Sequence, residues 1–364
     1  MREITIAGAR IADDTDGFVV AEIGHNHGGS VEQCKRLFYS AKECGVDAVK
    51  LQKRDNATLF TQALLDQPYN SEHSFGATYG EHRAALEFGW DEYVELKAYT
   101  ESLGLVFFAT AFDVPSADFL HKLDVPAFKI ASGDLKTILL IRHVARFRKP
   151  VIISTGGGTM DDVKRIACDI GIFSVVPGEE TYGTVVIPQP NVAFLQCTAA
   201  YPCQPNEMNL RVIQAYRDAF PYTVIGLSDH QDGISLAPVA YALGARLFEK
   251  HYTLDHNAKG SDHRFSLEPD GMKRMVRDLK RTREALGDGV KRPYASEQAG
   301  LYKMGKSIVA ANSLLPGQKV EAADLAVKSP NDGLEPWKVD KLIGRRVTQT
   351  IEAGETLTTS GVFE

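Results

Sequence analysis

The sequence predicts an α/β fold in which a (β/α)₈ TIM barrel is followed by a small β-rich domain. Over roughly the first 286 residues, eight short apolar runs alternate with segments of helical period. The remaining residues lack that alternation, and 364 residues are enough for one large barrel with a small added domain. An open, doubly wound sheet is the alternative, but its Gly-rich GxGxxG turn does not follow the first strand.

The eight predicted strands are mostly continuous apolar runs, as expected of parallel strands that are buried on both faces. They cover residues 18–24, 47–52, 106–112, 127–131, 150–155, 192–201, 224–230 and 246–253. Several of the intervening helical segments begin at a capping residue, namely Ser30, Asp91 or Thr159. Several end near a glycine such as Gly45. This regular order predicts a barrel domain over residues 1–286.

The C-terminal part of the chain has a different pattern. Residues 287–305 are polar and interrupt the alternation, so they are interpreted as a linker. Residues 306–364 contain short runs separated by Gly and Pro, with a weak internal repeat that places Gly317 and Gly354 37 residues apart. Two copies of a small β-rich unit would form a domain of about 60 residues, near the lower limit for independent folding.

Composition excludes several classes of protein. The 41 Lys and Arg against 47 Asp and Glu give a net charge of −6, and no basic run indicates a nucleic-acid partner. No apolar run approaches the roughly 18–20 residues that span a bilayer, and the N-terminus lacks the pattern of a signal peptide. Five cysteines without CxxC spacing fit a reducing compartment. We therefore expect a cytoplasmic protein that binds neither nucleic acid nor membrane.

Polar side chains gather at the C-terminal ends of the predicted strands, where a barrel of this kind has its active site. They are Glu22, Lys50, Gln52, Thr110, Lys129, Ser132, Ser154, Gln196, Tyr201, Ser228, His230, Glu249 and His251. A single polar residue at such a position is more often a salt-bridge or capping partner. Because all eight strands end in this way, the pattern favours one shared site.

Two lysines, Lys50 and Lys129, stand inside apolar strands, where an unpaired charge would be costly. Ser132, Ser154 and the backbone N–H groups of residues 156–158 follow neighbouring strands. Together these groups predict a site for a phosphate or carboxylate. A Schiff-base aldolase is the alternative use of Lys129, and the sequence leaves it open.

Two histidines, His230 and His251, lie 21 residues apart at the ends of adjacent strands. Such a pair could bind a divalent metal ion, with Asp262 completing the shell, or could be hydrogen-bonded structural residues. The spacing does not decide between these readings, because neither HxH nor HExxH is present. Glu249 points the same way as His251 from its strand and could act as a general base toward water.

These motifs, in this order, resemble the sialic acid (N-acetylneuraminate) synthase family. The runs that carry the resemblance are AEIGHNHGG, DAVKLQ, FKIASGD, KPVIISTGGGT, QCTAAYPCQP, GLSDH and EKH. The C-terminal run SIVAANSLLPGQKVEAADLAVKSP resembles the family's antifreeze-like SAF domain, a β-clip fold. The resemblance implies condensation of phosphoenolpyruvate with an N-acylated amino sugar such as N-acetylmannosamine. A nine-carbon 2-keto acid would form, with release of phosphate by C–O cleavage.

The resemblance also implies roles for individual residues. Phosphoenolpyruvate would be held by Lys50, Thr110, Lys129, Ser132, Ser154 and Ser228. Gln52, Tyr201, Asp262 and Lys328 would face the sugar. Mn²⁺ or Mg²⁺ would be bound by His230 and His251. The catalytic residues would be Glu22, Lys129 and Glu249, with Glu249 activating water. The family forms a domain-swapped homodimer in which the SAF domain of one chain covers the barrel of the other.

Two departures from the family's pattern concern the sugar. Ala199 follows the Cys-Thr of the sixth strand, where Asn or Ser is usual, and Ser329 replaces the arginine that reaches the N-acyl group. Lys328 is the expected substitute for that arginine, without its planar fork. The insert FGATYGEHRAALEF after the second strand is expected to shape the acceptor pocket. These departures also motivate a third hypothesis, a non-catalytic carbohydrate-binding descendant.

Overall fold

The computed structural model describes residues 1–175, 182–186 and 191–364. They form two compact units, residues 1–287 and residues 288–364. The predicted barrel domain ends one residue before the first unit does. Most of the predicted linker falls in the second unit, where it is an exposed segment that contains a 3₁₀ turn and one helix.

The first unit contains twelve of the fourteen strands found in the described residues. In chain order they are β1 (Glu3–Ile6), β2 (Ala9–Ala12), β3 (Phe18–Gly24), β4 (Ala48–Lys53), β5 (Val106–Ala111), β6 (Phe128–Ile130), β7 (Val151–Ser154), β8 (Phe173–Val175), β9 (Tyr182–Val186), β10 (Val192–Cys197), β11 (Val224–Asp229) and β12 (Leu247–His251). Eight of them close a parallel barrel in the order β3-β4-β5-β6-β7-β10-β11-β12. The predicted TIM barrel is therefore confirmed. Two antiparallel hairpins, β1–β2 and β8–β9, were not predicted, because their strands are only three to five residues long.

Helices follow the barrel strands and pack outside them. They are α1 (Val31–Glu43), α2 (Asn56–Leu59), α3 (Gln62–Leu65), α4 (Tyr79–Leu86), α5 (Trp90–Ser102), α6 (Val114–Lys122), α7 (Ile138–Ala145), α8 (Met160–Asp169), α9 (Val212–Ala219), α10 (Leu236–Ala242) and α11 (Pro269–Leu286). The side chains of Ser30 and Thr159 cap α1 and α8 as predicted. Asp91 is not a cap: α5 begins one residue earlier after Gly89, and Asp91 stabilises its first turn electrostatically.

Strand register places the polar side chains of neighbouring strands side by side. Glu22 pairs with Lys50 on one side and with His251 on the other. Thr110 lies opposite both Gln52 and Lys129. Below this layer the strands are apolar and buried, so the barrel is filled by packed side chains and the polar groups meet only at its C-terminal end.

The second unit is built around α12 (Gln298–Met304), β13 (Ser307–Ala310) and β14 (Leu325–Lys328), with β13 and β14 antiparallel. The predicted repeat is visible in its backbone. Leu314 and Ile351, 37 residues apart, exchange both backbone hydrogen bonds. Gly317 and Gly354 both have positive φ, as tight turns at equivalent positions require.

The second unit has its own small apolar core, which includes Ile308, Leu314, Val320, Ile351 and Leu357. This core joins residues from both copies of the repeat. Among the helices of the described residues, none combines the length and apolar character needed to cross a bilayer.

Candidate active site

A cavity of about 400 Å³ opens at the C-terminal ends of the barrel strands. All predicted site residues of the first unit except Gln196 line it: Glu22, Lys50, Gln52, Thr110, Lys129, Ser132, Ser154, Tyr201, Ser228, His230, Glu249, His251 and Asp262. Lys328 lies in the second unit, on β14, and its side chain is exposed. Gln196 does not line the cavity, because its amide donates to the carbonyl of Met208.

Two lysines and two glutamates form a buried group that we call the lysine–glutamate cluster: Lys50, Lys129, Glu22 and Glu249. Lys50 Nζ lies 2.6 Å from Glu22 Oε2 and 3.8 Å from Glu249 Oε2, and Lys129 Nζ lies 3.7 Å from Glu249 Oε1. The sequence suggested lysines whose charge only a bound anion would compensate. In the structure the chain's own carboxylates supply part of that compensation.

The two glutamates differ in acidity. Burial raises the pKa of Glu22 to about 7, against the opposing effect of Lys50. Burial also acts to raise the pKa of Glu249, but Lys129 and Lys50 outweigh it and lower that pKa to about 2. One carboxyl can therefore exchange a proton near neutral pH while the other stays ionised, a division typical of acid–base sites.

Hydroxyl groups complete the surroundings of the lysines. Lys50 donates to Thr110 Oγ1 at 2.6 Å, and Lys129 donates to Ser154 Oγ at 2.7 Å. Ser132 Oγ accepts a hydrogen bond from the backbone N–H of Gly156 at 3.0 Å. A Cβ on Gly156 would lie 2.7 Å from that oxygen, so only glycine allows this approach. The predicted anion-binding lysines and hydroxyl groups therefore converge on one wall, whereas the backbone N–H groups of residues 156–158 do not line the cavity, and those of Gly156 and Gly158 donate to Ser132 and Thr155.

The two histidine rings lie 5.5 Å apart, centroid to centroid. Burial lowers the pKa of each to about 4, so both imidazoles are neutral at pH 7, which is the form that binds metals. His230 Nδ1 lies 2.9 Å from the carbonyl oxygen of Thr198, a contact that assigns the proton to Nδ1 and leaves Nε2 free to ligate. His251 Nδ1 is buried and lacks a hydrogen-bond partner within the described residues.

These two imidazoles fit a divalent cation, but the described residues do not supply a complete set of ligands for one. Among the described residues no three His, Cys, Asp or Glu side chains are arranged to hold a metal. Asp262, expected to complete the shell, has its Oδ2 3.9 Å from His251 Nδ1 and faces the cavity as a neighbour. Any further ligands would come from water or substrate.

On the side of the cavity where the sequence predicts contacts to a sugar, Gln52 links two charged groups. Its Nε2 donates to Glu22 Oε1 at 2.7 Å, and its Oε1 accepts from Arg54 at 2.6 Å. Tyr201 was placed on the sixth strand by the sequence, but β10 ends at Cys197. The hydroxyl of Thr198 donates to the carbonyl of Glu207, and the carbonyl of Thr198 accepts from His230 Nδ1, so these hydrogen bonds fix the following turn in place of strand pairing. The centroid of the Tyr201 ring lies 4.1 Å from that of His230.

Comparison with known proteins is consistent across the chain. The sequence profile of the NeuB family matches residues 37–291, and that of the SAF domain matches residues 305–362. The chain belongs to the NeuB family. It is 40% identical over 341 residues to the N-acetylneuraminate-9-phosphate synthase of Homo sapiens, covering 93% of this chain and 91% of that protein.

Bacterial members of the NeuB family are also similar to this chain. The N,N'-diacetyllegionaminic acid synthase of Legionella pneumophila is 34% identical, with 93% of each chain covered. The solved structure of a sialic acid synthetase from Leptospira borgpetersenii, in complex with citrate, has 30% identity and a TM-score of 0.66, and covers 82% of this chain and 95% of that one. The predicted family and the predicted SAF domain are thus confirmed.

The cavity of this NeuB-family chain also has lining residues that the sequence did not single out as site residues: His25, Arg54, Arg83, Phe112, Ala131, Gly133 and Ser261. Arg54 lies one residue beyond the end of β4, and Arg83 lies on α4 within the insert. Strand periodicity says nothing about such positions. Arg54 could have been found as a charged residue directly after a strand that ends in site residues, whereas no comparable signal marks Arg83. Ala199, one of the two departures from the family's pattern, also lines the cavity.

Proposed function

We propose that this protein condenses phosphoenolpyruvate with an N-acylated amino sugar, N-acetylmannosamine or a close relative, to give a nine-carbon 2-keto sugar acid and inorganic phosphate. The observation that carries the proposal is the lysine–glutamate cluster at the barrel mouth beside two neutral histidines. Family membership supports it, since its relatives are named as sialic, legionaminic and pseudaminic acid synthases.

Phosphoenolpyruvate carries two anionic groups, and the buried wall offers donors for both. Lys50 and Lys129 supply charge, and the hydroxyl groups of Thr110, Ser132, Ser154 and Ser228 supply further hydrogen bonds. When Glu22 takes up a proton, the cluster has one more positive than negative charge, because Glu249 stays ionised. Binding of an anion and protonation of Glu22 would therefore reinforce each other.

The bond-forming step joins C3 of phosphoenolpyruvate to the aldehyde carbon of the open-chain sugar, while the aldehyde oxygen takes the carbonyl electron pair and the proton held by Glu22, which becomes a carboxylate. Positive charge then develops at C2, where the carboxylates of Glu22 and Glu249 stabilise it. Water adds to C2, and ionised Glu249 is placed to accept its proton. The resulting tetrahedral centre collapses with cleavage of its bond to the phosphate oxygen, which leaves the keto group and releases phosphate.

A divalent ion, Mn²⁺ or Mg²⁺, is part of this proposal. His230 and His251 would hold it, and it would supply Lewis-acid polarisation of the sugar aldehyde. The hydrogen bond of His230 Nδ1 to the carbonyl of Thr198 orients that ring, as is usual for metal-binding histidines.

We also propose that the chain acts as a homodimer in the cytoplasm, with the SAF domain of one chain serving the barrel of its partner. All five cysteines are free, in keeping with a reducing compartment. Lys328, on the second unit, would then contact the acceptor. Mixing two singly inactive variants, Lys328→Ala and His251→Ala, should restore activity if the sites are shared between chains, and should restore none if each chain acts alone.

The direct test is a phosphate-release assay with phosphoenolpyruvate, Mn²⁺ and a panel of amino sugars. Release that requires both substrates is the expected result. No release with any acceptor, including 6-phosphorylated and diacetamido sugars, would contradict the proposal and favour a carbohydrate-binding protein without turnover.

A lysine Schiff-base aldolase is the second candidate, because burial lowers the pKa of Lys129 and so makes its amine a better nucleophile. Borohydride reduction in the presence of pyruvate distinguishes the two. We expect no covalent adduct on Lys129, since Glu249 lies 3.7 Å away and favours the ammonium form.

A further inference from the structure

The cavity has a second group of cationic side chains, distinct from the lysine–glutamate cluster. It consists of Arg54 and Arg83 with His25 between them, and we call it the arginine–histidine cluster. Arg54 is only 8% exposed. Its guanidinium carbon lies 3.7 Å from the centre of the Phe112 ring, and one of its N–H groups donates to Gln52 Oε1. A stacked, buried arginine of this kind is held in a fixed orientation.

Arg83 is also held in place, but by a different element. Its Nε donates to the hydroxyl of Tyr79 one turn earlier on α4. The N-terminus of α4 is fixed in turn by a capping box between Thr78 and Glu81. The insert therefore presents Arg83 to the cavity from a capped helix.

The contacts of His25 leave hydrogen-bond donors without acceptors. Its Nε2 lies 2.8 Å from Arg54 Nη1, and its Nδ1 lies 3.5 Å from Arg83 Nη1. A guanidinium can only donate, and a neutral imidazole has one acceptor nitrogen, so at most one of these contacts is a hydrogen bond. The shorter distance assigns that bond to Nε2. The N–H at Nδ1 and the N–H groups at Nη1 of Arg83 then face each other, and the described residues place no acceptor between them.

The charge around the cluster is unbalanced as well. Glu87 is shared, with Oε2 3.1 Å from Lys53 Nζ and Oε1 3.9 Å from Arg54 Nη1. In the part of the chain that the structure describes, no carboxylate lies within salt-bridge distance of Arg83. Lys53 and Arg54 therefore share Glu87, and Arg83 lies at the cavity wall without a salt-bridge partner among the described residues.

We propose that the arginine–histidine cluster binds the phosphate of a phosphorylated amino sugar, at the end of the acceptor away from its aldehyde. Two guanidinium groups and an imidazole N–H form a donor set suited to the several oxygens of a phosphate dianion. This inference rests on the proposed function, because it takes the acceptor's aldehyde to lie beside Glu22 and the two metal-binding histidines.

The position of Gln52 separates this phosphate from that of phosphoenolpyruvate. Gln52 contacts Glu22 with one end of its amide and Arg54 with the other. Lys50 contacts Glu22 on one side of Gln52, and Arg54 lies on its other side. Gln52 therefore separates the arginines from Lys50. One cavity thus has two anion sites, one for each substrate.

The test compares N-acetylmannosamine with N-acetylmannosamine 6-phosphate as acceptors for the full-length protein with Mn²⁺. We expect the wild type to prefer the phosphorylated sugar by at least about tenfold in kcat/KM. Arg83→Met should lower kcat/KM for the phosphorylated sugar by on the order of 10- to 100-fold, because charge-assisted hydrogen bonds are lost. Arg83→Lys keeps the positive charge but loses the planar guanidinium, so its kcat/KM for the phosphorylated sugar should lie between the values of the wild type and Arg83→Met.

Arg274→Met is the matched control, since Arg274 is exposed on α11 and pairs with Asp270. It should keep the wild-type preference. A wild type without preference for the phosphorylated sugar would overturn the inference. An Arg83→Met variant that loses activity equally with both sugars, or that binds phosphoenolpyruvate more weakly, would also overturn it.

A binding measurement separates this inference from the proposed function. Calorimetric titration of N-acetylmannosamine 6-phosphate requires no turnover. If the wild type binds it and Arg83→Met does not, the subsite is supported even where no phosphate is released from phosphoenolpyruvate. If the wild type does not bind it, the subsite is wrong, whatever the outcome with the unphosphorylated sugar.

Discussion

The two charged clusters of this cavity are built in different ways. The lysine–glutamate cluster stands on β3, β4, β6 and β12, where strand pairing fixes each side chain, and each lysine has a carboxylate nearby. The arginine–histidine cluster is carried by the turns after β3 and β4 and by α4, and Arg83 has no carboxylate partner among the described residues. We infer that the lysine–glutamate cluster performs the chemistry common to the family and that the arginine–histidine cluster selects the acceptor.

The largest effect is expected at Glu249. Glu249→Gln removes the group proposed to accept the proton of water, and general bases of this kind contribute on the order of 10²- to 10⁴-fold to the rate. We therefore expect kcat for phosphate release to fall by about 10³-fold. Glu101→Gln, at an exposed position paired with Lys97, is the control and should keep wild-type kcat. A Glu249→Gln variant with more than about a tenth of wild-type kcat would contradict this role.

The next effect concerns the metal. His251→Ala should weaken Mn²⁺ binding by at least about 100-fold, because it removes one of the two histidines proposed to hold the ion and the described residues offer no group of three ligands. Electron paramagnetic resonance of free Mn²⁺ measures this without any turnover. His121→Ala, an exposed ring stacked on Phe147, serves as the control. Equal Mn²⁺ affinity in His251→Ala and wild type would show that the ion is bound elsewhere.

If the two clusters bind different substrates, variants of the two clusters should alter different kinetic constants. Lys129→Met should raise KM for phosphoenolpyruvate by on the order of 10- to 100-fold, since a charged donor to the anion is lost. Lys129→Met should have little effect on the preference between the phosphorylated and the free sugar. Arg83→Met should change that preference and leave KM for phosphoenolpyruvate close to the wild-type value. Steady-state kinetics with each substrate varied in turn measures both. If both variants alter the same constant, the clusters do not serve separate substrates.

The smallest effect is on stability. Burial raises the pKa of Glu22 from 4.5 to about 7, so between these values the folded protein keeps a proton that the unfolded chain has released. The contribution of Glu22 is therefore complete below pH 4.5 and is lost as the pH rises through 7, at a cost of a few kcal/mol at most. Urea denaturation at pH 5 and pH 7.5 should show a larger loss in the wild type than in Glu22→Gln. Equal losses would mean that Glu22 has an ordinary pKa.

Much of the barrel and its strand-borne site could be predicted from the sequence. Parallel strands buried on both faces are continuous apolar runs, so a lysine such as Lys50 or Lys129 within one is conspicuous. Barrel closure then brings such residues to one rim without any knowledge of distances. For the same reason Glu22, His230 and His251 were found.

The rest of the site depends on contacts that no local pattern encodes. Arg54 and Arg83 lie outside the strands, and their meeting at His25 depends on how the insert folds back. Neither the pairing of each lysine with a glutamate nor the distance between Asp262 and His251 follows from spacing, because both depend on side-chain direction. The end of β10 before Tyr201 depends likewise on contacts to Thr198 from distant residues.

The central claim is that phosphoenolpyruvate reacts by carbon–carbon bond formation and cleavage of its C–O bond. Phosphoenolpyruvate labelled with ¹⁸O at the bridging oxygen, incubated with Mn²⁺ and the amino sugar, tests it directly. Mass spectrometry should find the label in the released phosphate, with a nine-carbon keto acid formed in equal amount. Unlabelled phosphate, or phosphate released without the sugar, would contradict it.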